Sequence, residues 1–243
     1  EVDYHFVTFP LPCTDLVVHP RLPGAAYFMK KDVGRIGGNG RIRQAKMWRI
    51  VDVVCVIEYL KTLEFFHRLS DADKKVLIRG VTFPCKFLLS AFYSYSRNSD
   101  VMFFPDGTGL PFGSNPNMTC AAPSPHHSSM VSHGLIRLLA DSKLDRREYV
   151  LFKALVVCNQ SLCDLSREAK QILSVERQKY ATSLFHYIMT HRGVKEGPKT
   201  YVDLMTMVGT LTQMDEDVKA VHLLLAVTGR MHSPQPLIDD LCG

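Results

Sequence analysis

Residues 44–69 repeat apolar side chains at helical spacing: Met47, Ile50, Val51, Val54, Ile57, Leu60, Leu63, Phe65 and Phe66, with further apolar residues on the other faces. A surface helix needs a single apolar stripe, whereas a helix that is apolar on most sides has to be packed from several directions. This one stretch therefore predicts a helical domain built around a central helix. Ser70 follows as an N-cap with Asp73 three residues on, in capping-box position, and predicts a second long helix over 71–94 that Pro84 kinks. Further periodic stretches predict helices over 131–141, 145–159, 166–190, 198–214 and 215–229, with Gly193 and Gly197 marking one break. The single strand signal is Val101–Phe104 before a Pro105-Asp106-Gly107 turn, which predicts one small hairpin.

Outside these stretches the chain reads as punctuation. Pro10, Pro12, Pro20 and Pro23 with Gly34, Gly37, Gly38 and Gly40 make residues 1–43 irregular, with at most one short helix near 23–31. Residues 114–130 read as a polar, proline-rich loop, and Ser233-Pro234-Gln235-Pro236 precedes a short final segment, 237–242. No repeat is visible. The expected architecture is all-α, a layered helical sandwich of about nine to twelve helices with one small β-hairpin, spanning 44–243 behind the irregular segment 1–43.

Composition narrows the function classes. The 29 Lys and Arg of these 243 residues are scattered and the net charge is only +5, so no basic arm for nucleic acid is expected. Seven cysteines, odd in number and without a CxxC pair, suit reduced thiols better than a disulfide framework. No unbroken apolar run reaches membrane-spanning length, and no signal peptide is seen. An enzyme reading finds little. Gly193–Thr200 imitates a phosphate loop, but Pro198 interrupts it and no strand precedes it; Gly34–Gly40 also lacks a strand. His126-His127 stand in a loop without metal-ligand spacing, and no nucleophile–base constellation appears. No catalytic residue, metal ligand or cofactor is expected.

Residues 59–78, YLKTLEFFHRLSDADKKVLI, carry the most specific pattern in the chain. Tyr59, Leu60, Lys61, Phe66, Leu69, Asp73, Lys74, Leu77 and Ile78 fall at the places of the signature of nuclear hormone receptor ligand-binding domains, and the segment resembles it; Leu60 stands where a smaller residue is usual. Physically the pattern is a helix–turn–helix corner, which an unrelated two-helix hairpin would share. The last residues, Leu237-Ile238-Asp239-Asp240-Leu241-Cys242, resemble the activation helix that closes such domains, with Asp240 where the family usually has Glu; a frayed amphipathic end reads similarly. In chain order, Leu144-Asp145 through Cys158-Asn159, Val175 through Tyr187 and Tyr201 through Leu211 are similar to the family's eighth, ninth and tenth helices. The resemblance spans roughly 44–243, and Pro84, the loose N-terminal part and the strand-turn are most like divergent nematode receptors related to hepatocyte-nuclear-factor-type receptors.

The resemblance implies a ligand-regulated, or orphan, transcription factor domain in the nucleus. It implies that a coactivator or corepressor LxxLL helix lies in a groove closed by the C-terminal helix. Carried over, Lys61 is the basic clamp on the peptide's C-terminal carbonyls and Asp240 the acidic clamp on its N-terminal N–H groups; Ile57, Lys74, Ile78, Leu237 and Leu241 line the groove. Asp240 is one methylene shorter than Glu, and Lys75 occupies a position usually apolar. A small hydrophobic or fatty-acid-like ligand would sit beneath, among Trp48, Arg49, Asp52, Val53, Phe83, Lys86, Ser90, Tyr93 and Phe103. Tyr93 stands where acid-binding relatives use Arg, so Arg49 or Lys86 would anchor a carboxylate unless they pair with Asp52. Homo- or heterodimerisation is implied through 199–227. The zinc module that carries DNA binding in a full receptor has paired CxxC motifs, absent here, so no nucleic-acid binding is expected of these residues. The competing reading is a ligand-independent helical protein-interaction scaffold.

Overall fold

The computed structural model describes residues 40–103, 125–228 and 236–242, with side chains over 51–103, 133–228 and 237–242. The expected irregular segment up to residue 39, Phe104 with the turn at 105–107, and the loop up to 124 lie outside these residues; of the expected strand, residues 101–103 are described and form no strand, Phe103 making only an isolated bridge. Within them the elements are all helices: α1 (Gly40–Lys61), α2 (Glu64–His67), α3 (Asp71–Ser96), α4 (Pro125–Asp141), α5 (Arg146–Val157), α6 (Arg167–Val227) and α7 (Pro236–Cys242). The fold is the all-α sandwich that the sequence predicts.

α1 is buried on several faces from Val51 onward, where Val51, Val53, Val54, Val56, Ile57 and Leu60 all join the core. The hub of the packing, however, is α3. It touches α1, α4, α5, α6 and α7, so the second long helix rather than the first occupies the middle layer. α3 remains helical through Pro84 although the proline ring removes one bond to the Gly80 carbonyl. Every residue over 81–88 is buried, and that packing outweighs the missing bond. The length and composition of α3 would also suit a membrane span, but 72% of its apolar window is buried inside the protein.

Several helix limits differ from the sequence expectation; α1 already begins at Gly40, within the segment read as irregular, and the second arm of α6, after Gly193, begins before 198. α1 stops at Lys61 and the chain re-enters helix for a single turn at α2, because Thr62 and Leu63 donate to Tyr59 and Leu60 carbonyls at 3.0 Å and tighten the end. α4 begins at Pro125, six residues before the expected start; proline is well suited to a first helical turn, where its missing N–H would have no intrahelical partner. The expected break between 214 and 215 is absent. Gln213 donates to Asp217 at 3.0 Å and Lys219 to Asp215 at 2.8 Å, and these i,i+4 pairs carry the helix across a polar stretch.

The break at Gly193 does occur. Its φ of 71° and ψ of −178° lie in a region open to glycine, and they divide α6 into arms 167–192 and 194–227. Arg192, the last residue before the break, holds the corner together. Its guanidinium donates to Glu148 through Nε at 2.7 Å and through Nη2, to the Ser142 carbonyl at 2.6 Å and to the Lys143 carbonyl at 2.9 Å. Glu148 is 1% exposed and closes the capping box of α5 by accepting from the Asp145 N–H at 2.9 Å. One forked cation thus ties the end of α4, the start of α5 and the first arm of α6. The described cysteines are free thiols, and burial pushes those of Cys85 and Cys158 up to about 12.

Candidate coregulator groove and closing helix

The corner at 61–73 is assembled from local rules and then locked by one long-range residue. Phe65 and Phe66 on α2 are 1% and 2% exposed and anchor the turn in the core. The Ser70 hydroxyl accepts from the Asp73 N–H at 3.1 Å and starts α3. Ser166 does the same for α6, accepting from the Ala169 N–H at 3.1 Å. The Asp73 carboxylate joins the two caps. It accepts from the Ser70 hydroxyl at 2.6 Å, the Ser166 hydroxyl at 3.0 Å and the Ser166 N–H at 2.8 Å. It therefore sits at the positive ends of two helices. Burial pushes the Asp73 carboxyl up, but the hydrogen bonds from Ser70 and Ser166 outweigh it and hold the group below the ordinary carboxylate value.

Of the residues expected in the groove, Lys61 ends α1, where a cation suits the negative end of the helix, and its Nζ bonds Glu58 at 2.6 Å. Lys74 pairs with Asp71 at 3.0 Å on the first turn of α3. Ile57 and Ile78 are 1% and 0% exposed and belong to the core, as do Leu237 and Leu241 on α7. The partly open residues along the start of α3 are Lys74, Lys75 and Val76, followed by exposed Arg79, a more basic edge than the apolar pattern implied.

The closing helix α7 is seated. Leu237 and Leu241 are 2% and 1% exposed and belong to the same core as α1 and α3, while α7 itself packs on α3 and α6. Burying two leucines contributes about 1.5–3 kcal/mol each, which makes them the dominant anchors of so short a helix. Polar contacts set its orientation: Arg79 donates to Asp240, and His222 faces Asp239 at 3.2 Å. Beneath, Lys219 bonds Asp215 at 2.8 Å and the Arg79 carbonyl at 3.1 Å. Burial raises the Asp215 carboxyl above its ordinary value, against the opposing pull of Lys219. Arg79, Lys219 and His222 were not foreseen from the sequence; a basic residue one turn and a half beyond Asp73, on the face that meets the chain end, is the only signal that would have pointed to Arg79.

The ligand set divides. Val53 and Phe83 are buried in the core at 0% and 4% exposure. Asp52 and Lys86 form a polar site between α1 and α3: burial pushes the Asp52 carboxyl to about 6, with Lys86 pulling it down, and the Asp52 Oδ2 has no hydrogen-bond donor. Ser90, Tyr93 and Phe103 cluster at the other end of α3. The Phe103 N–H donates to Ser94 at 3.2 Å, Ser94 donates to the Ser90 carbonyl at 2.9 Å, and the Tyr93 and Phe103 rings meet edge to face at 5.6 Å. Arg97 lies 5.0 Å from the Tyr93 ring. The side chains of Trp48 and Arg49 are outside the described residues.

Residues 42–224 match the family pattern of the ligand-binding domain of nuclear hormone receptor. Among curated relatives, the chain is 32% identical to nuclear hormone receptor family member nhr-60 of Caenorhabditis elegans over 219 residues, covering 90% of this chain and 45% of that protein. It is 31% identical to family member nhr-136 of the same organism over 173 residues, covering 71% of the chain and 39% of the relative. The chain spans less than half the length of these relatives. A match over most of its length, with the signature corner, its two-helix cap and the seated terminal helix in place, makes this chain a divergent nematode-type member of the nuclear hormone receptors, of which it carries the ligand-binding domain.

Proposed function

We propose that the chain regulates transcription by receiving an LxxLL-type coregulator helix against α1 and the start of α3, under a lid formed by α7. The observation that carries this reading is the seating of α7. Leu237 and Leu241 hold it in the core, and Asp240 is brought to the side of α3 that follows the signature. Lys61, at the end of α1, supplies the opposite charge for the carbonyl end of a bound helix. Lys61→Ala or Asp240→Ala is expected to reduce binding of an LxxLL peptide below detection in fluorescence polarisation, and so is deletion of 236–243. Unchanged affinity in both point variants sinks the clamp assignment, and a deletion that still binds favours a ligand-independent scaffold.

Two further features belong to the same reading. A small hydrophobic or fatty-acid-like ligand would have its acid group held by Lys86, while the unbonded Asp52 oxygen would take a hydroxyl or amide donor. The second arm of α6 exposes Val202, Leu223, Leu224 and Val227, at 60%, 62%, 47% and 78%, and supports dimerisation through 199–227. Native mass spectrometry is expected to find a dimer that retains a small apolar molecule; an empty monomer at high concentration counts against both. DNA binding through a zinc module and residence in the nucleus are proposed for the longer receptor, not for these residues.

A further inference from the structure

Asp240 is already engaged in the closed domain, since its Oδ1 accepts from Arg79. Its other oxygen, Oδ2, is shielded from water and has no donor. The neighbouring polar groups are paired: Lys219 with Asp215 and the Arg79 carbonyl, His222 with Asp239. The basic side chains at this junction differ in access. The Arg79 side chain is 45% exposed, against 28% for Lys219 and 20% for His222, so Arg79 is the one an incoming chain meets first.

A helix offers two things at its N-terminus: unsatisfied N–H groups and, commonly, an acidic residue that caps or flanks them. A neutral first turn that took Asp240 for its N–H groups would strip Arg79 of its partner. A first turn bearing Asp or Glu makes an exchange instead. Its carboxylate takes the guanidinium of Arg79, its N–H groups take the carboxylate of Asp240, and no ion is left unpaired. We propose that Arg79 is a specificity residue of this groove, selecting coregulator helices that carry an acidic residue in or just before their first turn. This rests on the groove reading above and names its partner's chemistry.

The test uses three labelled LxxLL peptides, identical except for Glu, Gln or Lys in the first turn, titrated by fluorescence polarisation. The unaltered chain is expected to bind the Glu peptide about fivefold tighter than the Gln peptide, the scale of one partly exposed charge pair. R79Q is expected to bind both alike, and R79E to prefer the Lys peptide. Raising salt shrinks the Glu-to-Gln ratio of the unaltered chain toward one. R79K keeps the charge and keeps the Glu preference, which maintains the test should R79Q lose its fold. A Glu preference that survives in R79Q, a salt-independent ratio, or no preference at all overturns the inference while leaving the groove standing. Failure of all three peptides to bind overturns both.

Discussion

Arg192→Ala is expected to lower the unfolding free energy by about 3–5 kcal/mol, the range for removing one partner of a buried ion pair. The loss exceeds that of an exposed pair because Glu148 is 1% exposed and its carboxyl group would be left in the interior with only the Asp145 N–H to bond it. The two carbonyls that Arg192 also satisfies, of Ser142 and Lys143, would lose their donor as well. Arg192 retains some access to water, so the lower end of that range is the better figure. Arg192→Lys keeps a charge but not the fork that reaches Glu148 and both carbonyls together, and is expected to recover only part of the loss. Urea unfolding at neutral pH measures all of this. In a double-mutant cycle, Arg192→Met with Glu148→Gln should cost clearly less than the sum of the singles. Additive losses would show that the pair does not act as a unit.

Asp73→Ala is expected to cost about 2–4 kcal/mol, since a buried carboxylate accepting three hydrogen bonds is removed and the caps of α3 and α6 lose their shared partner. Asp73→Asn preserves the shape but replaces one acceptor by a donor and removes the charge from two helix N-termini, for about half that loss. The pH dependence has a definite sign. The folded-state pKa of Asp73 lies below its ordinary value of 3.8, so the ionised carboxylate stabilises the fold above that value. The stability gap between the unaltered chain and Asp73→Asn should be constant near neutral pH. It should close as the pH falls below about 4, toward the depressed folded-state pKa. A gap that widens on acidification would contradict the assignment.

Much of the fold is legible residue by residue. The start of α3 at Ser70 follows from a serine whose hydroxyl can reach the N–H three positions on, and the break in α6 follows from a glycine free to take a positive φ. The limits that differ were decided by balances that a local pattern does not contain. The polar run at 213–217 reads as a stop, yet its side chains pair along one face and keep the helix going. Pro84 removes a helical hydrogen bond, yet α3 continues through it in a stretch where every neighbour is buried.

The candidate site divides along the same line. Lys61, Asp240, Leu237 and Leu241 stand out in sequence because the segments that hold them resemble the receptor signature and its closing helix. Ile57 and Ile78 fall at helical spacing, but whether an apolar face lines a groove or lies beneath it depends on what packs over it. The role of Arg79 does not follow from its own neighbourhood in sequence. Its meaning comes from Asp240, 161 positions away, just as the meaning of Asp73 comes from Ser166, 93 positions away, and that of Arg192 from Glu148, 44 away.

Helix type, caps, the glycine break and the signature corner are properties of residues within a few positions of one another, and the sequence by itself determined them. Which charges meet was decided only by the tertiary structure. Capping and periodicity act over one or two turns, whereas an ion pair depends on distance in space, and that distance exists only once the layers have closed.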